Sequence, residues 1–231
     1  MKKFGLVGGV GPLSTLAYYK GITEGYWERT GLLASPPMTI ESLDYGVVEN
    51  SARMGDYTTF AECFISAVNV LHVAGAEFCA IAANTAHLVL PQLKEHSPIP
   101  IVSILEATAS QAHRMKTKKA ILFGTVPTIK SGMFDKPFAD YGMEIICPDE
   151  DDQLAIDRIL FPNLEKGVVL WEQKEQLLLM VRRLQAEYGA DTLILGCTEL
   201  PLAIKSEDLS INLLDTTQAH INAILDMLLA S

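Results

Sequence analysis

Short apolar runs alternate with longer amphipathic segments along most of the chain. The apolar runs are bounded by Gly, Pro or Asp, which is typical of strands, and the longer segments place apolar residues at helical spacing. The predicted strands are Phe4–Gly8, Met38–Leu43, Glu77–Ala82, Ile99–Leu105, Ala120–Phe123, Met143–Cys147, Thr192–Leu195 and Ile211–Leu214. The predicted helices are Leu13–Arg29, Tyr57–Val73, Glu106–Met115, Asp152–Leu164 and Leu170–Glu187. This βαβα order predicts an α/β fold with parallel sheets and helices on both faces.

The chain also repeats itself at about half its length, which is informative about domain organisation. Three pairs of segments resemble each other in the same order, at offsets of 116, 114 and 109 residues. The pairs are Lys2–Gly8 with Lys118–Gly124, Gly75–Thr85 with Gly189–Glu199, and Ile104–Thr108 with Leu213–Thr217. The constant order predicts two similar, pseudo-symmetric α/β lobes, each a short, mainly parallel sheet flanked by helices.

Two similar lobes in one chain usually bind a ligand in the cleft between them, at the carboxyl ends of their strands. In the second matched pair, Ala83 corresponds to Cys197, and each follows a predicted strand. Polar residues come directly afterwards, with Asn84, Thr85 and His87 in one repeat and Thr198 and Glu199 in the other. A small molecule in the cleft would therefore be approached from opposite sides.

Charge and cysteine usage limit the partners that we expect. The 18 basic and 28 acidic residues give a net charge of −10 without a long basic cluster, so nucleic acid is not an expected partner. No run reaches the ~20 apolar residues that cross a bilayer, so no membrane partner is expected. Four cysteines without a CxxC pair suit a reducing cytoplasm, without disulfides or zinc.

Cys197 is the candidate for covalent or acid–base chemistry. A thiolate is a strong base and nucleophile, and a loop between a strand and a helix N-terminus lowers a thiol pKa. The competing interpretation, a cysteine buried in the core, is the one expected for Cys63 and Cys79, which lie inside a helical and a strand pattern.

Five segments together resemble the aspartate/glutamate racemase family, and the resemblance runs from end to end. They are Gly8–Pro12, Ala83–His87, Gly124–Thr128, Leu195–Leu200 and Asp215–Thr217 with His220. The resemblance implies inversion of the α-carbon of an acidic amino acid without pyridoxal phosphate, any other cofactor or metal. It also implies a homodimer, and lobes of residues 1–98 plus 209–231 and 99–208, so that the last strand and helix complete the first lobe.

By the same resemblance, the two catalytic positions are Ala83 and Cys197, one from each lobe. One residue of such a pair removes the α-proton and the other delivers a proton from the far side. The residues expected to hold the substrate are Val10, Gly11, Asn84, Thr85, Thr198 and Glu199, with Thr125 and Thr128 as lesser candidates.

The sequence departs from the family pattern at position 83, where the family normally has Cys. Alanine has no ionisable group and cannot act as a base. Either the chain is impaired in two-base racemisation, or Ala83 is an engineered substitution in a conventional racemase. Two rival functions follow from this departure: a decarboxylase of the arylmalonate type that uses Cys197 alone, and a binding protein for a dicarboxylate or amino acid that has no activity.

A second departure concerns the carboxylate of the substrate side chain. Where some aspartate racemases have a lysine, this chain has Glu165, and Lys166 follows at a position rotated by about 100° on a helix. Arg53, in the predicted loop after Ser42–Tyr45, is the alternative clamp because Arg binds carboxylates with two hydrogen bonds. An exposed loop arginine without a ligand is the competing interpretation.

Two further motifs point to a cofactor or a metal only weakly. Gly9–Ser14 partly matches the dinucleotide fingerprint GxGxxG, but Ser14 replaces the third glycine, so we expect no nucleotide cofactor. Asp149–Asp152 is typical of the first turn of a helix, where negative charge is favourable, and we expect no metal there.

Overall fold

The computed structural model of the chain describes residues 2–161 and 163–230, so residues 1, 162 and 231 lie outside the described part. The strands are β1 Phe4–Gly8, β2 Met38–Ser42, β3 Phe78–Ile81, β4 Lys119–Phe123, β5 Glu144–Ile146, β6 Thr192–Leu195 and β7 Asn212–Asp215. The helices are α1 Pro12–Thr30, α2 Tyr45–Met54, α3 Tyr57–Val73, α4 Leu90–His96, α5 Ile104–Arg114, α6 Val126–Lys130, α7 Asp135–Ala139, α8 Glu150–Leu160, α9 Trp171–Tyr188, α10 Leu200–Ala203 and α11 Thr216–Leu229. The helix predicted over 152–164 includes residue 162, which is not described.

All the strand pairs are parallel, and they form two sheets. The first sheet has the order β2-β1-β3 and the second has the order β5-β4-β6-β7. In each sheet the strand that comes first in the chain is flanked by the next two strands. The prediction of an α/β fold with two similar, mainly parallel sheets is confirmed.

The register of the sheets reproduces the internal repeat residue by residue. Phe4 pairs with Phe78 in the first sheet, and Ala120 pairs with Thr192 in the second. Phe4 and Ala120 are 116 residues apart, and Phe78 and Thr192 are 114 residues apart, which are the offsets at which the sequence repeats. The two sheets are therefore equivalent in strand order and also in the residues that face each other.

The third matched pair of the sequence is displaced by three residues. Cys79 on β3 forms an isolated parallel bridge with Ile101, and its equivalent Leu193 pairs with Leu213. Ile101 and Leu213 are 112 residues apart, so the offset of 109 was wrong. The segment around Ile101 is a short equivalent of β7, held by hydrogen bonds from the Cys79 N–H to the Pro100 carbonyl and from the Val102 N–H to the Cys79 carbonyl.

The chain forms two compact units, Met1–Ser103 with His220–Ser231 and Ile104–Ala219. The chain therefore passes from the first unit to the second after residue 103 and returns after residue 219. The expected boundaries were after residues 98 and 208. The strand expected over 99–105 contributes to the first sheet and gives way to α5 at Ile104. The last strand, β7, was expected in the first lobe, but it pairs with β6 and belongs to the second unit.

In each unit, the helix that directly follows the last strand segment belongs to the other unit. Helix α5 directly follows the segment 99–103 of the first unit and belongs to the second, where it contacts β7 and α7. Helix α11 directly follows β7, and from His220 onward it belongs to the first unit. The two helices are thus exchanged at equivalent junctions of the repeat.

The cores explain which helices cover which sheet. In the first unit, Phe64, Val68 and Leu71 of α3 pack with Val7 and Ile81 on one face of the sheet. The other face carries a cluster of β1, β3, α1 and α11 residues, namely Phe4, Leu6, Phe78, Tyr18, Ile22, Ile221, Ile224 and Leu225. In the second unit, α8, α9 and α10 supply the residues that pack on β4 and β6, including Ile156, Leu177, Val181 and Leu200.

A buried polar chain ties α11 to the rest of the first unit. The Tyr18 hydroxyl lies 2.7 Å from His220 Nδ1, and His220 Nε2 lies 2.9 Å from the Val102 carbonyl oxygen. Because a carbonyl oxygen only accepts, Nε2 carries the proton and the Tyr18 hydroxyl donates to Nδ1. Burial lowers the pKa of His220 to about 3, so the ring is neutral when the protein is folded.

Acidification should destabilise the first unit through His220. The folded pKa is about 3, against an ordinary value of 6.5, so the unfolded chain binds the extra proton first. This contribution to stability is present above pH 6.5 and is lost as the pH falls toward 3, by up to about 1.4 kcal/mol per pH unit. We expect His220→Gln to lower the urea midpoint at pH 8, because Tyr18 and Val102 lose their hydrogen-bond partner. The difference in midpoint between the variant and the parent should become smaller as the pH falls, because only the parent loses the contribution of His220.

The matched control is His72→Gln, which removes an exposed histidine of α3. Its urea midpoints should run parallel to those of the parent between pH 4 and pH 8. Parallel midpoints for His220→Gln as well would contradict the assignment.

Candidate active site

The loop after β1 is held close to the neighbouring chain by glycine. Gly9 has a φ of +81°, and a Cβ there would lie 2.3 Å from the Leu43 carbonyl oxygen. The Gly9 N–H donates to the Thr15 hydroxyl at 2.9 Å. The loop therefore depends on glycine for both its conformation and its close approach to residues 42 and 43.

The same loop is linked to the end of β3 by a buried hydrogen bond. The Ser14 hydroxyl, in the first turn of α1, donates to the Ala82 carbonyl at 2.6 Å. Ser14 is the residue that departs from the dinucleotide fingerprint, and this bond explains its presence at that position. The hydroxyl fixes the backbone immediately before Ala83.

The segment after β3, which we call the 83 tip (residues 83–85), leads into a 3₁₀ turn at Thr85–Val89. Asn84 is buried, and Ala83 and Thr85 are half-buried. The His87 Nδ1–H donates to the Ala83 carbonyl at 3.0 Å, and the His87 backbone N–H donates to the Asn84 carbonyl at 2.9 Å. His87 is only 2% exposed, so it acts as an internal brace of the 83 tip.

The equivalent segment after β6 is the 197 tip (residues 197–199). Gly196 precedes it, and a Cβ at this position would lie 2.6 Å from the Phe123 carbonyl, to which the Gly196 N–H donates. Cys197 and Thr198 are half-buried, whereas Glu199 is 8% exposed. The Leu200 N–H closes the turn on the Cys197 carbonyl at 3.2 Å.

Cys197 donates its thiol proton to Glu199, with Sγ 2.8 Å from Oε2. The pKa of the thiol is well above its ordinary value because the group is buried, and because the charge and the hydrogen bond of Glu199 both favour the protonated form. The expectation of a lowered thiol pKa was therefore wrong. Helix α10 has only four residues, so its dipole lowers the thiol pKa less than the carboxylate in direct contact raises it.

Glu165 adds a second negative charge near the 197 tip. It lies half-buried in a 3₁₀ turn, Leu164–Lys166, which contacts α10, and its charge also raises the Cys197 pKa. Leu164 anchors this turn in the core of the second unit. Lys166, the residue after Glu165, is exposed.

The threonines after β4 lie in the same unit as the 197 tip. The Thr125 and Thr128 hydroxyls are 3.1 Å apart, with Thr128 buried and Thr125 half-buried. The Val126 N–H, at the start of α6, donates to Asp157 Oδ1 at 3.0 Å. Burial raises the pKa of Asp157.

Arg53 occupies a helix rather than the predicted loop. It lies in the last turn of α2, which begins after Asp44 and ends at Gly55. The guanidinium is exposed and donates to Asn50 Oδ1 at 3.4 Å. Sequence reasoning missed α2, although Asp44 as N-cap and Gly55 with a φ of +70° are recognisable helix start and stop signals.

The remaining expected residues of the first unit lie in the loop after β1. Val10 is half-buried and packs against the core that contains Val7 and Ile81, and Gly11 has a φ of +89°. Sequence reasoning gave no role to Ser14, and it placed His87 only among the polar residues that follow position 83. Their positions directly beside a strand end and a glycine loop are the only signal that could have identified them as braces.

The other cysteines have different surroundings. Cys79 is fully buried in β3, as expected, and burial raises its pKa to about 12. Cys63 is half-buried in α3, and Cys147 is exposed. In residues 2–161 and 163–230, no cluster of three or more His, Cys, Asp or Glu is arranged to hold a metal ion.

Comparison with known proteins identifies the family. A sequence model described as Asp/Glu/Hydantoin racemase matches residues 7–224. The chain belongs to this family. It is therefore an enzyme of the amino-acid racemase class, and the resemblance of the sequence to the family is confirmed.

Relatives match over nearly the whole length of the chain. A broad specificity amino-acid racemase of Bacillus subtilis is 25% identical over 220 residues, covering 92% of each chain. The structure of a proposed Asp/Glu racemase from Yersinia pestis has a TM-score of 0.92 and 31% identity, and covers 99% of this chain and 100% of that one. An aspartate racemase homologue from Pyrococcus horikoshii has a TM-score of 0.87 and 32% identity, with 99% of each chain covered. No helix in the described part of the chain is long and apolar enough to span a membrane.

Replacing Gly9 by Ala should damage the loop after β1 more than a positive φ alone would. The new Cβ would overlap the Leu43 carbonyl, so we expect a loss of more than about 2 kcal/mol in the free energy of unfolding. Gly31→Ala is the control, since Gly31 has a φ of +68° but open space around its Cβ. We expect a loss of about 1 kcal/mol for the control, measured by urea unfolding, and equal losses would show that the close approach is unimportant.

Proposed function

We propose that this racemase removes and returns the α-proton of aspartate, glutamate or a close relative without a cofactor, with the 83 tip and the 197 tip as its two catalytic positions. The observation that carries the proposal is the equivalence of the two tips. Ala83 and Cys197 follow strands of matching register, β3 and β6, each paired with the central strand of its sheet. Two equivalent positions suit a reaction in which one proton leaves a tetrahedral carbon and another is delivered to it.

The residues around the tips offer the chemistry that such a substrate needs. Asn84, Thr85 and Thr198 supply short polar groups, and the glycine loop at Val10 and Gly11 brings backbone close to the end of β1. We assign Glu199, Thr125 and Thr128 to the same site from the second unit. Arg53 is assigned to the distal carboxylate, because a guanidinium binds a carboxylate with two hydrogen bonds.

Alanine at position 83 makes the proposed site chemically one-sided. Cys197 is the ionisable group of the two equivalent positions, and Ala83 cannot accept or donate a proton. We propose that the chain as it stands exchanges the α-proton on the Cys197 face and is impaired in full inversion. The backbone at position 83 is held by the hydrogen bond from His87 to the Ala83 carbonyl, so we propose that the missing ionisable side chain is the only defect of this tip.

Restoring a thiol at position 83 should therefore restore inversion. We expect Ala83→Cys to racemise aspartate or glutamate at least about a hundredfold faster than the parent, in line with the usual contribution of a positioned acid or base. The L- and D-enantiomers are incubated separately in D₂O, and deuterium at Cα and chirality are followed. Cys197→Ala should abolish both signals.

The control for this experiment is Cys147→Ala, which removes an exposed cysteine and should leave exchange unchanged. Absence of Cα exchange in both the parent and Ala83→Cys, with folding verified, would contradict the proposal. Release of CO₂ from a malonate substrate would instead indicate a decarboxylase. Calorimetric binding of a dicarboxylate without deuterium uptake would indicate a binding protein.

We also propose that the chain works in the cytoplasm as a homodimer. All four cysteines are free, which suits a reducing compartment. The homodimer rests on the family resemblance alone, and the molar mass in light scattering tests it.

A further inference from the structure

The contact between Cys197 and Glu199 joins two acids that differ strongly in strength. Sγ lies 2.8 Å from Oε2, and Glu199 is 8% exposed, so solvent screens the pair poorly. In water a carboxyl and a thiol differ by about 4 pKa units, so the carboxyl loses its proton first. A single proton then remains on the pair, on sulfur and directed at the carboxylate.

Losing that last proton would place two negative charges in contact in a buried setting. Like charges at this distance disfavour joint ionisation, as in paired carboxylates that share a proton. The burial and the carboxylate both hold the pKa of the thiol well above its ordinary value. Near neutral pH, Cys197 is therefore a thiol and not a free thiolate.

A neutral thiol cannot by itself take a proton from carbon, so the proposed function needs an acceptor for the thiol proton. We propose that Glu199 is this acceptor, and that Cys197 and Glu199 act as one acid–base unit that holds a single proton at rest. The inference rests on the proposed function and adds a catalytic role for Glu199 that differs from holding the substrate. Its carboxylate is the group in hydrogen-bond contact with Sγ.

The proton transfers balance without any further reactant. In the forward step, the thiol proton moves to Glu199 Oε2 while the sulfur takes the α-proton, and the C–H electron pair stays on Cα. The unit then carries two protons, one on sulfur and one on oxygen. In the return step, sulfur delivers a proton to Cα and regains one from the carboxyl, which restores the starting state. Deuterium reaches Cα when the proton on sulfur, which is the one delivered to carbon, is replaced by a deuteron from D₂O between the two steps.

The protonation of the pair can be tested without any substrate. The ultraviolet absorbance of the Cys197 thiolate is measured against pH as the difference between each protein and the same protein carrying Cys197→Ala. We expect Glu199→Gln to lower the thiol midpoint by at least one pH unit, because the amide removes both the charge and the ionised acceptor. Glu199→Asp keeps the negative charge but moves it away from sulfur, so we expect its thiol midpoint to lie between those of the parent and Glu199→Gln. This second variant keeps the test decisive if Glu199→Gln folds poorly.

Glu165→Gln is the matched control for charge without contact. It removes one negative charge near the 197 tip from a residue whose effect on Cys197 is through space. We expect its thiol midpoint to move by less than half of the shift in Glu199→Gln. Equal shifts for the two variants, or an unchanged midpoint in both Glu199→Gln and Glu199→Asp, would overturn the inference.

The pH dependence of Cα exchange separates a catalytic carboxylate from one that only packs. In the parent, the one-proton unit is complete near neutrality, so the exchange rate should change less than twofold between pH 6 and pH 8. In Glu199→Gln, exchange waits for ionisation of the thiol, so the rate should rise about tenfold per pH unit below the thiol midpoint. The same flat profile in both proteins would overturn the inference.

Failure of this inference is distinguishable from failure of the proposed function. Absence of exchange in the parent and in Ala83→Cys counts against the function, whereas the thiolate titration reports on the pair in either case. Normal exchange in the parent, together with an unshifted thiol in the Glu199 variants, would retain the racemase proposal and reject the shared proton.

Discussion

Parallel pairing of β3 with β1, and of β6 with β4, is the constraint on which the candidate site depends. The register of a buried strand cannot slip by one residue, because every side chain would then move to the opposite face of the sheet. The pairing therefore fixes the position of Ala83 relative to the end of β1, and that of Cys197 relative to the end of β4. Since the backbone positions are equivalent, the chemical difference between the tips lies in their side chains.

The two tips are stabilised in different ways, although they occupy equivalent positions of the internal repeat. At the 83 tip, polar groups of the first unit hold the backbone, with Ser14 bound to the Ala82 carbonyl and His87 bound to the Ala83 carbonyl. At the 197 tip, the polar partner contacts the side chain of the proposed catalytic residue, since Glu199 accepts a hydrogen bond from the thiol of Cys197. The hydrogen bonds at the 83 tip therefore hold the backbone, whereas the hydrogen bond at the 197 tip joins two ionisable side chains.

Much of the fold could be predicted because buried parallel strands are short apolar runs, and β1, β4 and β6 stand out as such. The sequence did not predict where a strand ends and a helix begins when both are apolar, as at Ile104. Helix α2 was missed because its polar composition hid the capping signals at Asp44 and Gly55. Cys197 was found by its place in the repeat, but its pKa depends on a contact with Glu199 that spacing alone cannot establish.

The exchange of final helices has a consequence for the order in which the molecule is made. A ribosome releases residues 1–103 early, yet the face of the first sheet that contains Phe4 and Phe78 is covered by Ile221, Ile224 and Leu225. The second unit, residues 104–219, emerges as one uninterrupted segment. It therefore contains all the strands of its own sheet without any later segment, while the first unit keeps an apolar face uncovered until α11 packs against it.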